Sequence, residues 1–177
     1  MNQDEAVKPG ARDAQLLAEI LAADACRELL LAQGCEIEEA ELDALEPVAL
    51  CAVIGFSGEA LRGSLMLGMS PRAVEAVGAT AGDLLRDLLG ELSNQLLGRI
   101  KNKLLAYGVE LSSTVPVVLR GHHFAPVSRT ELHAVRLGLR GGSVWVWIDV
   151  DCFDGFEMRL QPAESPNALT EGDILLF

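Results

Sequence analysis

One long amphipathic segment, residues 81–106, constrains the fold of this chain more than any other stretch. On a helical wheel at about 100° per residue, Asp87, Glu91, Asn94 and Gly98 fall on one narrow polar stripe. The opposite arc is apolar and carries Leu85, Leu88, Leu89, Leu92, Leu96, Ile100 and Leu104. The segment therefore predicts a helix that packs its wide apolar arc on a core and leaves the polar stripe to solvent or a partner.

The polar stripe, Asp87, Glu91, Asn94 and Gly98, admits a functional and a structural interpretation. Like charges four residues apart destabilise a helix by about 0.2–0.5 kcal/mol, so a purely structural surface would favour lysine at one of the two acidic positions. Alternatively, the helix dipole favours Asp87 near the N-terminus, and Glu91 with Asn94 form an ordinary solvated face. Gly98 serves either close approach of a partner or packing under a sheet.

Length and charge limit the class of protein. A chain of 177 residues is long enough for one domain with a real core, or for two fused halves. Its formal net charge of −12 argues against binding nucleic acid or an anionic membrane surface. A partner that offers a cation at its binding site fits this charge better.

The cysteines and the ends of the chain complete the outline. Four cysteines without C-x-x-C spacing indicate buried free thiols and a cytoplasmic protein, and no apolar run approaches the ~20 residues that span a bilayer. Residues 1–12 are expected to be a flexible leader, and residues 13–160 the domain. The tail, 161–177, has no assigned role, because it could dock on its own domain, bind a partner or add an edge strand.

Turn and cap residues give the order of elements. A first helix over 13–33 ends at Gly34, and Ser70-Pro71 begins a short helix as N-cap and first helical residue. Pro116 marks an edge strand or a bulge. The predicted strands and hairpins are a hairpin over 48–69, a strand over 113–120 and a second hairpin over 131–151.

Two pairs of similar segments indicate an internal duplication. Residues 30–37 resemble residues 104–111 at an offset of 74, and residues 55–58 resemble residues 138–141 at an offset of 83. The sequence therefore predicts an α+β fold in which two pseudo-symmetric halves form one mixed β-sheet with two long helices packed on it.

The same offset predicts that only one half carries a site. A shift of 74 residues places Leu17 opposite Glu91 and Ile20 opposite Asn94. The first helix thus has apolar residues where the central helix has its acid and amide.

With these residues in view, the chain resembles a known family. Asp87-x-x-x-Glu91-x-x-Asn94 is similar to the D/S-x-x-x-E-x-x-N signature of the CheC, CheX and FliY phosphatases of bacterial chemotaxis, and its single copy resembles CheX. The flanking sequence shares the resemblance over residues 54–65, 90–103 and 115–121. The resemblance implies a CheC/CheX-like fold.

The resemblance also implies a function and roles. Such proteins dephosphorylate the aspartyl-phosphate of a CheY-like receiver domain, with Mg²⁺ held by the receiver and no cofactor of their own. Asn94 would orient the attacking water, and Glu91 would pair with the receiver's lysine. Asp87 and Gly98 would support them, and the protein would form a homodimer. The alternative function is a non-catalytic CheX-like module or scaffold for a receiver domain or a flagellar or signalling partner.

Two further features have weaker functional readings. His122-His123 lacks the i, i+4 spacing that places two imidazoles on one helix face, so a metal site is not expected. Trp145 and Trp147 alternate with aliphatic residues, which predicts a strand buried on both faces or a dimer surface.

Overall fold

The computed structural model describes residues 9–38, 47–77, 82–122, 124–128, 132–140 and 142–156. The predicted leader up to residue 8 and the tail over 161–177 lie outside these residues. The elements in chain order are α1 (Pro9–Ala32), β1 (Ile37–Glu38), β2 (Leu50–Ser57), β3 (Leu61–Met69), α2 (Pro71–Ala76), α3 (Gly82–Leu105), β4 (Ser112–Ser113), β5 (Val117–Arg120), β6 (Val135–Leu139) and β7 (Gly142–Cys152).

The described strands form one sheet in the order β1-β6-β7-β3-β2-β4, and β5 also pairs with β2. Each of these pairings is antiparallel. The predicted α+β class, with two long helices on one sheet, is confirmed, and the sheet expected to be mixed is antiparallel in its described strands.

The sheet has the two-fold pattern that the internal repeats predict. The central pair, β3 and β7, is the second strand of each hairpin, and it joins Leu61–Met69 to Val144–Cys152. On one side β2 pairs with β4 and β5 from the second half, and on the other side β6 pairs with β1 from the first half. Each half therefore supplies a strand to the outer edge of the other.

Both long helices end in the same way. Gly34 and Gly108 have φ of +74° and +78°, the left-handed conformation that glycine adopts without a Cβ clash. The amide of Cys35 donates to the carbonyl of Leu30, and the amide of Val109 donates to that of Leu104. These bonds satisfy carbonyls at the helix end and turn the chain toward the sheet.

The main core lies between the two helices and one face of the sheet. Alternate residues of β7, namely Val144, Val146, Ile148 and Val150, are buried there. From α3, Leu96 and Ile100 have no exposed surface. The helices also contact each other through an ion pair of 2.8 Å between Glu28 Oε1 and Lys103 Nζ.

The opposite face of the sheet carries a smaller apolar cluster. Trp145 is 8% exposed and packs with Val48, Cys51 and Met66, while Trp147 is half-buried at its border. The guanidinium of Arg136 lies 5.7 Å from the ring centroid of Trp145. At Trp145, residues of the same chain therefore bury the second face of β7.

The structure differs from the sequence prediction at three places. The first helix begins at Pro9 rather than residue 13, because proline suits the first helical position, where no amide donor is needed. The short strand β1 was not predicted, although the similarity of residues 30–37 to residues 104–111 indicated a strand there. The predicted strand over 113–120 is divided at Thr114–Pro116, where the register against β2 gains one residue, as in a bulge.

The cysteines of the described chain are free thiols, as predicted. Cys26 and Cys51 are buried, while Cys35 and Cys152 are partly exposed. Removal from water raises the pKa of Cys26 to about 12, so this thiol stays protonated at neutral pH.

A buried amide fastens α1 to the central strand β7. The pairing of β6 with β7 ends at Val146. Beyond that residue, the side chain of Gln15 hydrogen-bonds to the backbone of β7. Its side-chain nitrogen donates to the carbonyl of Ile148 at 2.7 Å, and its oxygen accepts from the amide of Val150 at 3.0 Å. Gln15 also donates to Glu19, which accepts from the backbone amide of His133.

We expect Gln15→Met to lower the free energy of unfolding by about 1–3 kcal/mol, because the backbone groups of Ile148 and Val150 lose their partner. The matched control is Leu16→Met, which places the same side chain at an exposed neighbour and should change stability by less than about 0.5 kcal/mol. Urea unfolding of both variants measures the difference. Equal midpoints would contradict the role of Gln15.

Candidate functional site

The polar stripe lies on the outer surface of α3. Asp87, Glu91 and Asn94 are exposed and Gly98 is half-buried. Leu89, Leu92 and Leu96, on the other side of the helix, are buried in the core. The separation predicted from the helical period is observed, and it brings the four residues of the stripe together on one face.

The side chain of Asn94 is exposed on α3. No hydrogen bond joins its carboxamide to another residue in the described part of the chain. A free carboxamide offers two donor hydrogens and an acceptor oxygen without carrying charge. It can therefore bind both an oxyanion and a water molecule supplied from outside.

Glu91 is held at one oxygen and exposed at the other. Gln95 Nε2 donates to Glu91 Oε1 at 2.9 Å, across one helical turn. Over the described residues the carboxylate has no cationic partner of its own. This contact was missed in the sequence, although the i, i+4 spacing of glutamate and glutamine was a signal for it.

Asp87 pairs with its neighbour on the helix. Arg86 Nη2 lies 3.1 Å from Asp87 Oδ1, and both side chains are about two-thirds exposed. Such a surface pair contributes little to stability. Asp87 is therefore paired with Arg86 at one end of the polar stripe and leaves Glu91 and Asn94 unobstructed.

Gly98 is not a packing glycine. Apart from the backbone of its own helix, a Cβ built at this position would meet no atom of the described residues within 4 Å. The alternative of packing under the sheet is therefore wrong. The absence of a side chain keeps the helix surface low beside Asn94, where another molecule's backbone could approach.

The polar stripe is an exposed ridge and not a cleft. A cavity of about 200 Å³ lies beside α3 and is lined by Leu88 and Leu92, but Glu91 and Asn94 are not among its lining residues. Small-molecule sites are concave and enclose most of their ligand. The position of the acid and amide instead suits insertion into another macromolecule.

One flank of the ridge is apolar. A Cβ at Gly90 would lie 3.7 Å from Pro116 Cγ, so the β4–β5 connection covers that side of α3. Beside Pro116, Val115 is 82% exposed and Val117 is 57% exposed. Exposed aliphatic side chains next to a polar ridge are typical of a protein-binding surface.

The first-half helix presents no comparable pair. At the positions equivalent to Glu91 and Asn94, α1 has Leu17, half-buried, and Ile20, 51% exposed. The candidate site is therefore on one half, as the sequence predicted.

Other site types find no support in the described part of the chain. It contains no cluster of three His, Cys, Asp or Glu side chains that could bind a metal, and His123 lies outside the described residues. Of the described helices, none combines the length and apolar character that a bilayer crossing requires.

A family model matches the middle of this chain. Residues 50–137 match the family described as chemotaxis phosphatase CheX, and this range contains the entire polar stripe. Comparison with curated protein sequences gives no significant match.

Several solved structures share the fold. CheX from Vibrio vulnificus superposes with a TM-score of 0.67 at 17% identity, covering 76% of this chain and 99% of that one. A CheC-like superfamily protein from Shewanella sp. PV-4 gives 0.63 at 19%, covering 76% and 97%. A structure of the CheX–CheY–BeF₃–Mg²⁺ complex from Borrelia burgdorferi gives 0.58 at 20%, covering 77% and 97%.

These findings first define the class: the fold is that of the solved CheX and CheC-like proteins. Within it, the chain is a CheX-like member of the CheC, CheX and FliY family of chemotaxis phosphatases.

We expect Gly98→Ala to raise the free energy of unfolding by up to about 1 kcal/mol, because alanine is the better helix former and its methyl group meets open space. Gly90→Ala is the matched control, since its methyl group makes only ordinary contact with Pro116 and Val118. Both variants should unfold at higher urea. If Gly98→Ala alone were destabilising, position 98 would have an internal packing role.

Proposed function

We propose that this protein is a phosphatase that hydrolyses the aspartyl-phosphate of a CheY-like receiver domain, in chemotaxis or related two-component signalling. The observation that carries the proposal is the carboxamide of Asn94, which has no partner among the described residues and lies one helical turn from Glu91 on an exposed ridge. An acid and an amide in this position can act only in a pocket that a partner provides. The family match supports such a partner.

Asn94 would orient the water that attacks phosphorus. Its carbonyl oxygen accepts a hydrogen bond from the water, and its amide hydrogens donate to a phosphoryl oxygen. The water oxygen bonds to phosphorus as the bond from phosphorus to the receiver's aspartate breaks, which releases inorganic phosphate. Because phosphoryl transfer depends on positioning and electrostatics, one well-placed amide can account for much of the acceleration.

Glu91 would set the register between the two proteins. The resemblance assigns it a lysine of the receiver as partner, and the free side of its carboxylate suits an ammonium group. Asp87, paired with Arg86, would support one end of the ridge, and Gly98 would let the partner's backbone come close. Such a desolvated charge pair contributes mainly to affinity and orientation.

The remaining components belong to the partner or to the assembly. The Borrelia burgdorferi complex contains CheX, CheY, BeF₃ and Mg²⁺. By analogy, we propose that the receiver supplies Mg²⁺ here and that this chain needs no cofactor of its own. A cytoplasmic location and a homodimer are further parts of the proposal.

A turnover experiment distinguishes an enzyme from a binding module. The protein is mixed with a tenfold excess of phosphorylated receiver and Mg²⁺, and release of phosphate is followed against spontaneous decay. Several turnovers per molecule would support the phosphatase. Binding without faster decay, across the receivers of the same cell, would favour the non-catalytic module.

We expect Asn94→Ala to lower kcat by about 10²-fold, since the attacking water loses its orienting group. The free energy of unfolding should change by less than about 0.5 kcal/mol, because the side chain is exposed. Asn102→Ala, another exposed amide on α3, is the control and should keep full activity. Undiminished turnover by Asn94→Ala would exclude the role given to Asn94.

For Glu91→Gln we expect a KM increased by about tenfold and a smaller change in kcat, because the charge pair contributes to binding rather than to water activation. Glutamine preserves the shape of the side chain and its helix propensity. Steady-state kinetics over a range of phosphorylated receiver measures both constants. A large loss of kcat with unchanged KM would assign Glu91 to the chemical step.

A further inference from the structure

Two glutamine side chains connect Glu91 to the end of α1. Gln95 Nε2 donates to Glu91 Oε1 at 2.9 Å, and Gln33 Nε2 donates to Gln95 Oε1 at 3.3 Å. Gln33 directly follows the last residue of α1 and precedes Gly34, whose left-handed conformation ends the helix. The support for Glu91 therefore comes from both long helices.

The charge of Glu91 determines the direction of both bonds. An ionised carboxylate only accepts hydrogen bonds, so Gln95 must turn its NH₂ group toward it. The carbonyl oxygen of Gln95 then faces Gln33, which can satisfy it only by donating. Each amide has one orientation that fits, although carboxamide nitrogen and oxygen are otherwise interchangeable in shape.

A glutamine at position 95 holds the carboxylate without cancelling its charge. The more common stabilising partner four residues after a glutamate is lysine, which would form an internal ion pair. With Gln95, one oxygen of Glu91 is bound by a neutral donor and the full negative charge remains for an external cation. This is the arrangement that a glutamate requires if it is to bind another protein's ammonium group.

The glutamine pair, Gln33 and Gln95, has no counterpart at the positions that the 74-residue offset makes equivalent. Under the 74-residue offset, the positions equivalent to Gln33 and Gln95 are Tyr107 and Leu21. Leu21 is buried and has no polar group to offer. The two glutamines are thus absent where the acid and amide are absent.

We propose that Gln95, backed by Gln33, is a positioning residue that holds Glu91 in the conformation that reaches the partner's cation. This inference rests on the proposed function. Ordering a long side chain before binding removes part of the entropy cost of association, so the benefit appears in KM and not in the chemical step. Gln95 itself touches neither water nor phosphate.

The kinetic test is a double-mutant cycle on the phosphorylated receiver. Gln95→Ala should raise KM by about 3- to 10-fold and leave kcat within about twofold, as the loss of one ordered side chain predicts. In a Glu91→Ala background the same substitution should have no further effect, since nothing remains to be held. An equal effect of Gln95→Ala in both backgrounds, or no effect in either, would overturn the proposal.

A second variant separates position from charge. Gln95→Lys keeps a donor beside Glu91 but neutralises its carboxylate, so KM should rise at least as much as with Gln95→Ala, although the helix gains a stabilising pair. Gln33→Ala should give a smaller increase in KM than Gln95→Ala. A KM for Gln95→Lys equal to that of the unaltered protein would overturn the argument from charge.

A measurement without the receiver distinguishes a failure of this inference from a failure of the proposed function. The side-chain NH₂ signals of Gln95 in an ¹⁵N–¹H spectrum should shift when Glu91 is replaced by alanine, while those of Asn102 stay in place. If they shift and the unaltered protein releases no phosphate from any receiver, the proposed function fails and the contact stands. If they do not shift while turnover is normal, the positioning role is wrong.

Discussion

Burial of the apolar arc of α3 is the interaction on which the rest of the structure depends. Leu96 and Ile100 have no exposed surface, and each such side chain contributes about 1.5–3 kcal/mol when removed from water. A helix is rigid about its axis, so fixing this arc also fixes the opposite side. Turning α3 far enough to hide Glu91 would expose leucines and bury an unpaired carboxylate, which costs several kcal/mol. The outward direction of the polar stripe is therefore a consequence of the core.

The exchange of edge strands between the halves explains how a symmetric fold carries a single site. β1 completes the sheet beside β6, and β4 with β5 completes it beside β2, so each half contributes strands to the edge of the other. Once the halves share one sheet, their helices are free to differ. α3 presents an acid and an amide, whereas α1 has Leu17 and Ile20 at the equivalent positions. Glu28 of α1 and Gln33, which follows α1, contact side chains of α3.

The parts that the sequence could predict are those with a local physical signature. The period of α3 located both its buried arc and its polar stripe, and Gly34, Ser70 and Pro116 marked a helix end, a helix start and a bulge. The two-residue strand β1 is too short to show a period. The buried amide of Gln15 and the contact of Gln33 with Gln95 join residues far apart in the chain, and a single sequence has no local pattern for such contacts.

The exposed position of the acid and amide divides the proposed chemistry between two proteins. This chain contributes a neutral hydrogen-bonding group and a carboxylate, both hydrated at little cost while unbound. The partner would contribute the phosphoryl group, the metal and the cation, which need an enclosed and dry pocket to be effective. Hydrolysis would then occur only when the two surfaces meet. Because α1 packs on the same sheet without the pair, the residues of the polar stripe can change while the buried arc keeps the helix in place.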